Sequence, residues 1–358
     1  MRARRIAHTG EHQDASRCAH CCAHARHHDR CRRRHARGNT APAAAASPYV
    51  VTSAADYADA TPGDGQCRTS AATGAVCTLR AAIQEANAGG GADTIRFAIG
   101  SGPVTISPTS ELPQITEPVT IDGFTQPGAG STPIVHLAGD TVGAGGDGLR
   151  LAGGTSSVSG LVLTRFEVGI FISGPGGNLV TGNYVGIAAD GTTARGNSFG
   201  IVIDKSPDNV IGTSASPNAV SGNVQAGVTV NGAAATGTEI AGNRIGTNAA
   251  GTAAVPNLLG ISLRDSAVGT RIGGTTDADG NVVSGNLSNG IEVSARVEGT
   301  VVSRNRIGTN AAGNAACRTT CRASPPSTPP RRPSKATSSP ATGRPASGRT
   351  ASRAPTPT

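Results

Sequence analysis

Gly200-Ile201-Val202-Ile203, then Asn209-Val210-Ile211-Gly212, then Asn218-Ala219-Val220-Ser221-Gly222-Asn223, is the stretch whose reading decides the fold. Each piece is a short run of alternating or paired aliphatics between Gly, Asn, Ser or Thr, which is a strand pattern too short for helices. The same three pieces return from Gly260 as Ile261-Ser262-Leu263, Thr270-Arg271-Ile272-Gly273 and Asn281-Val282-Val283-Ser284-Gly285-Asn286. Working outward, Gly-aliphatic-x-aliphatic begins at Gly148, Gly169, Gly200, Gly227, Gly260 and Gly290, in steps of 21, 31, 27, 33 and 30 residues. A longer unit, Asn-x-aliphatic-Gly, begins at Asn183, Asn243 and Asn305, and its steps of 60 and 62 residues equal two of the shorter ones. Periods of this size mean a solenoid, propeller or array. A propeller needs four strands per ~40–45 residues and aromatic signatures. Three strands per step predict instead an all-β parallel β-helix, each strand stacking one face inward on the next turn. The corner Gly and Asn are expected to supply positive φ, and stacked Asn side chains to bond along the array.

Composition agrees. The 358 residues include 50 Gly, no Trp and only eight aromatics, as a narrow core of Val, Ile and Leu allows. No apolar run approaches the ~20 residues of a membrane helix. The aromatics are too scattered for a platform that stacks single-stranded nucleic acid. The net charge of +8 belongs to the ends: residues 1–47 carry +7, residues 315–358 carry +8, and the body between them carries −7. Basic arms grip phosphates only when a fold presents them, so no nucleic-acid partner is expected.

Both ends are foreign to the body. Residues 1–40 hold seven of the eight His and four of the eight Cys, and residues 317–358 lack Ile, Leu, Val, Phe, Met, Tyr and Trp altogether. Neither end buries enough apolar area to offset its ordering entropy, so both are expected to be disordered. A misassigned start and a shifted reading frame are the expected account of them, ahead of a designed tail. In the head, Cys18, Cys21, Cys22, His24, His27, His28 and Cys31 have spacings that zinc could use, but Ala and Arg fill the gaps where a zinc module places its small core. Ala41 to Pro48 looks like the small-residue end of a secretory signal without the apolar segment that should precede it. The chain thus divides into a head (1–47), an N-terminal cap with first turns (48–147), the repeats (148–316) and a tail (317–358).

A solenoid end needs a cover. Thr78 is a candidate N-cap, Leu79, Ala82, Ile83 and Ala86 fall on one helical face, and Gly89 supplies a stop. This segment, Cys77-Thr78-Leu79-Arg80-Ala81-Ala82-Ile83, resembles the Cys-Ser-Leu-Arg-Glu-Ala-Ile motif of a family of secreted bacterial proteins. The upstream Gly63-Asp64-Gly65-Gln66-Cys67, the stretch Leu112–Gly128 and the Ile-Gly-Thr-Asn-Ala-Ala-Gly repeats are similar to that family too. The resemblance spans about residues 49–314. It implies a right-handed parallel β-helix of the pectin-lyase-like kind and a secreted or cell-envelope location. Ala81 stands where the family has Glu, which removes half of a capping box and should cost about half a kcal/mol. In this cap, Cys67 and Cys77 read as a disulfide in an oxidising compartment, with two free thiols as the alternative.

The pectin-lyase-like fold hosts lyases, hydrolases, esterases and adhesins, so the site must decide the function. A lyase needs a Lys or Arg base beside calcium-binding carboxylates, and a hydrolase needs grouped carboxylates. Aligning the repeats, the outward column reads Arg150, Phe171, Val202, Thr229, Ser262, Glu292, with no paired acids. The only convergence is Asp204 and Lys205 against Arg264 and Asp265, two strands or about 10 Å apart. Lys205 is the one Lys of the body and its best base candidate; a solvated corner with a weak ion pair is the plainer reading. Asp277 and Asp279 cluster oxygen donors as a calcium loop does, though without the distant acid that completes one, and an Asx turn explains them equally. The body's single His, His136, reads as structural. Three expectations follow. The first is a secreted or envelope β-helix that binds or presents, with a polysaccharide or cell-surface glycan as partner. The second is a polysaccharide lyase or glycoside hydrolase using Asp204, Lys205, Arg264 and Asp265. The third is a truncated, inactive product, since the last repeat ends at Asn314 with no C-terminal cap.

Overall fold

A computed structural model of the chain describes residues 48–294 and 296–317. They form a parallel β-helix of three all-parallel sheets. Among the described residues sheet A has nine strands, sheet B eight and sheet C six. The six Gly-aliphatic-x-aliphatic units supply sheet C, from Leu149–Leu151 through Phe199–Asp204 to Ile291–Val293. Sheets A and B begin earlier, with Tyr49–Val51 paired to Asp93–Phe97 and Val104–Ile106 paired to Val135–Ala138. The repeat is legible from Gly148 because sheet C starts there. The tail boundary shifts by one residue: Cys317 is buried and tied into the last turn by its N–H to Gly308 O and by Gly285 N–H to its own carbonyl. The expected disorder of the ends, their zinc-like cluster and Cys321 lie outside the described residues.

The core is one continuous stack of Val, Ile and Leu, with Ile170, Ile201, Val228 and Ile261 in register and fully buried. Corner glycines such as Gly212, Gly222 and Gly285 have the expected positive φ, but two other features of the repeat have different causes. The glycines that open sheet C strands are needed for close approach: a Cβ on Gly200 would stand 2.4 Å from Gly227 O, and one on Gly260 2.3 Å from Gly290 O. The corner asparagines do bond along the array, but no Asn among the described residues has positive φ. Asn183, Asn218, Asn243, Asn281 and Asn305 form one ladder, each Nδ2 donating to the next Oδ1 at 2.9–3.2 Å. Asn197, Asn223, Asn257 and Asn286 form a second at 2.9–3.1 Å. These side chains also satisfy buried backbone groups at the bends, where the strand ladders stop.

The N-terminal end is covered by helix α1, Leu79–Gly89, which buries Leu79, Ala82, Ile83 and Ala86 as its pattern predicts. Thr78 Oγ1 accepts the Ala81 N–H at 3.1 Å. Ala81 is itself fully buried. The buried acid of this helix is Glu85, which accepts the N–H groups of Gly63 at 2.9 Å and Gly65 at 3.0 Å and so pins the preceding loop to the cap. A disulfide joins Cys67 and Cys77 with Cα atoms 5.1 Å apart, and Arg80 holds Asp56 through two bonds of 2.9 Å.

Candidate functional site

The outward face of sheet C carries the column read from the sequence. Arg150, Phe171, Val202, Thr229, Ser262 and Glu292 are consecutive register partners, and Asp204, Asn231 and Arg264 form the next column along. Of these, Phe171, Val202, Thr229, Asn231 and Arg264 line a groove of about 310 Å³, together with Phe199, Glu167, Val168 and Asp265. Arg150 lies over the Phe171 ring with Cζ 4.8 Å from its centre. Thr229 is 6% exposed, and its hydroxyl and the buried Asn231 Oδ1 have no hydrogen-bond partner within the protein. A buried polar atom without a partner costs roughly 1–3 kcal/mol, so both oxygens are local weak points of the fold beneath the groove.

Of the four candidate catalytic residues Arg264 and Asp265 line this groove and Asp204 and Lys205 do not, so they are not brought into one constellation. Lys205 Nζ lies 4.0 Å from Asp204 Oδ2, and the lysine is 70% exposed. Asp204 Oδ1 accepts from Asn231 Nδ2 at 2.7 Å. Two strands away, Arg264 Nε donates to Ser262 Oγ at 2.7 Å. Arg264 and Asp265 also line an adjoining hollow of about 500 Å³ with Ser266, Ser294 and Arg296. Lys205 and Asp265 both adopt the left-handed conformation, φ +52° and +48°, at equivalent corners where the intervening turn has Gly232. The lysine stem crosses that glycine; a Cβ there would stand 2.7 Å from Lys205 Cγ.

The two acids read as a calcium loop face different partners. Asp279 accepts from Thr276 N–H at 3.0 Å and Thr276 Oγ1 at 2.7 Å, closing a capping box on the short helix Asp277–Asp279, and these bonds hold its carboxyl below the usual range. Asp277 pairs with Arg304 at 2.6 Å. Among the described residues no three His, Cys, Asp or Glu side chains are grouped to hold a metal. His136 Nε2 lies 2.7 Å from Thr164 Oγ1, and burial followed by the nearby Arg195 lowers its pKa.

Sequence reasoning missed a second cleft, on the outward face of sheet B. Tyr184, Ala219 and Arg244 are register partners on its floor. The repeated Asn-x-aliphatic-Gly unit places Tyr184, Arg244 and Arg306 at its x position, and that was the available signal. Each unit continues into a hairpin, and the hairpins stack: Ala249 N–H donates to Gly191 O at 2.9 Å and Ala311 N–H to Gly251 O at 2.8 Å. Asp190 closes the first hairpin by accepting from Thr192 and Thr193, which pull its pKa down to about 2. This tower forms one wall, and Phe124, Pro133 and Ser216-Pro217 form the other, around about 390 Å³.

Among the described residues no helix is long and apolar enough to cross a membrane. No protein-family model matches the chain, and the curated proteins contain no significant match to it.

Proposed function

We propose that the protein is a non-catalytic, glycan-binding β-helix of the secreted or cell-envelope kind, with the sheet C groove as its binding face. The observation that carries this reading is the groove lining, which sets Phe171 and Phe199 beside the polar side chains of Glu167, Asn231, Arg264 and Asp265. Sugars bring hydroxyls for such polar groups and C–H faces for aromatic rings, and a binding site combines an apolar bed with few well-placed polar groups. The cap disulfide favours an oxidising compartment. The resemblance of the Cys77–Ile83 segment to secreted bacterial β-helix proteins supports the same placement.

The test is calorimetry against a panel of neutral and acidic oligosaccharides, with product analysis of each mixture. The expected result is binding without turnover, weakened about fivefold to tenfold by Phe171→Ala and by Thr229→Val. Cleavage that disappears in Lys205→Ala would replace this reading with a lyase or hydrolase using Asp204, Lys205, Arg264 and Asp265. Binding that ignores both groove substitutions would remove the ligand from sheet C.

A further inference from the structure

The cleft over sheet B has a chemistry of its own. Ala219 lies between Tyr184 and Arg244 on adjacent strands, so the floor is a hollow spanning two strand spacings, about 10 Å, with a phenol at one end and a guanidinium at the other. Phe124 flanks the phenol end. It is held over Gly182, where a Cβ would stand 2.9 Å from its ring. The sides are otherwise Pro133, Pro217 and small side chains, which offer a ring contact but few hydrogen bonds.

Arg244 is half-buried and donates through Nη1 to Gly242 O at 3.0 Å. Among the described residues it has no carboxylate within ion-pairing distance, and neither does Arg306, two strands along the same column. Burial, and then the charge of Arg306, disfavour its cation. In a body of net charge −7, this face therefore keeps two cations unneutralised beside an apolar hollow. A guanidinium fork in a partly desolvated cleft is suited to one carboxylate, gripped through two parallel N–H donors.

We infer that this cleft is a second binding site, separate from the sheet C groove, and that it takes a ring-bearing carboxylate of hydroxybenzoate or hydroxycinnamate size. The ring lies between Phe124 and Tyr184 over Ala219, and the carboxylate meets Arg244. The cleft holds about 390 Å³, enough for one aromatic ring with a short carboxylate arm.

The probe is 4-hydroxycinnamate, titrated calorimetrically into the full chain, beside its neutral amide and inorganic phosphate. A Kd below about 1 mM is expected, with binding about tenfold or more weaker for the amide and in Arg244→Gln. Arg96→Gln removes an equal charge from the exposed outer face of sheet A and is expected to change nothing. Ala215→Trp, at an exposed position of the cleft lining, fills the hollow without touching the cation and is expected to abolish binding, which keeps the test open if Arg244→Gln fails to fold. The inference is overturned if the probe does not bind, if the amide binds equally well, if phosphate displaces the probe at equal concentration, or if Arg244→Gln and Arg96→Gln behave alike. None of these outcomes touches the glycan reading, whose variants lie on another sheet.

Discussion

Asp93 shows how one residue can sit against the logic of the stack around it. It opens a strand of sheet A, is 6% exposed, and its Oδ2 has no partner within the protein. Burial raises its carboxyl pKa, and it in turn helps to push up the phenol of Tyr49. The sign follows directly. A carboxyl whose folded pKa lies above its unfolded value of about 3.9 favours folding only while protonated, and that contribution is lost as pH rises through the folded value. At neutral pH its charge is therefore a liability. Asp93→Asn should raise Tm at pH 7, and the gain should vanish at pH 3, where both states carry the proton. Paired thermal melts at the two pH values check this; a loss at pH 7 would mean that the ionised carboxylate is satisfied in the fold. The sequence alone offers no sign of the problem, because an Asp before a Thr-Ile-Arg-Phe strand reads as an ordinary strand start.

At the scale of the element, the bends hold more than the strands do. Asn243 Nδ2 donates to Ile211 O, Ala241 O and Asn281 Oδ1, while its Oδ1 accepts from both Asn218 nitrogens. Asn243→Ala would leave several buried groups unpaired and should cost about 3 kcal/mol or more. Asn310→Ala, in an exposed hairpin, should cost about 1 kcal/mol or less, since water can replace its bonds. Equal costs in denaturant titrations would deny the ladder its structural role. The ladder was legible beforehand because it needs one residue type at one position of every turn. Its cause was only half legible: the asparagines serve bonding and not φ, while the positive φ falls mainly on corner glycines such as Gly212, Gly222 and Gly285, as expected, and also on Lys205 and Asp265. The outward columns of sheet C were legible for the same reason, since register follows the repeat. The sheet B cleft was not, because its second wall brings Phe124 and Ser216 together from turns about 90 residues apart, on loops that no repeat governs.

At the scale of the whole stack, the first and last turns among the described residues are held differently. In a solenoid each turn is stabilised by its own contacts and those of its immediate neighbours, so an end turn has one neighbour where an inner turn has two. The N-terminal end offsets this deficit with helix α1, the Cys67–Cys77 disulfide and the buried Glu85 clamp. At the other end, Val293, Val302 and Ile307 are 46–49% exposed, although equivalent inward positions such as Ile203, Ile211 and Ile245 are fully buried. Local opening free energy tracks buried apolar contact, so protection should fall toward that end. Amide hydrogen exchange of the full chain should find Ala226–Asn231 protected near the global limit. Exchange should be about a hundredfold or more faster in Ile291–Val293, Val301–Ser303 and Arg306–Ile307, the difference that about 3 kcal/mol of missing neighbour interaction produces. Uniform protection along all three sheets would mean that the final turn is covered in solution. The effect would then reach the function as well, because Glu292 closes the sheet C column and Arg306 stands behind Arg244, so fraying here would loosen one end of each proposed site.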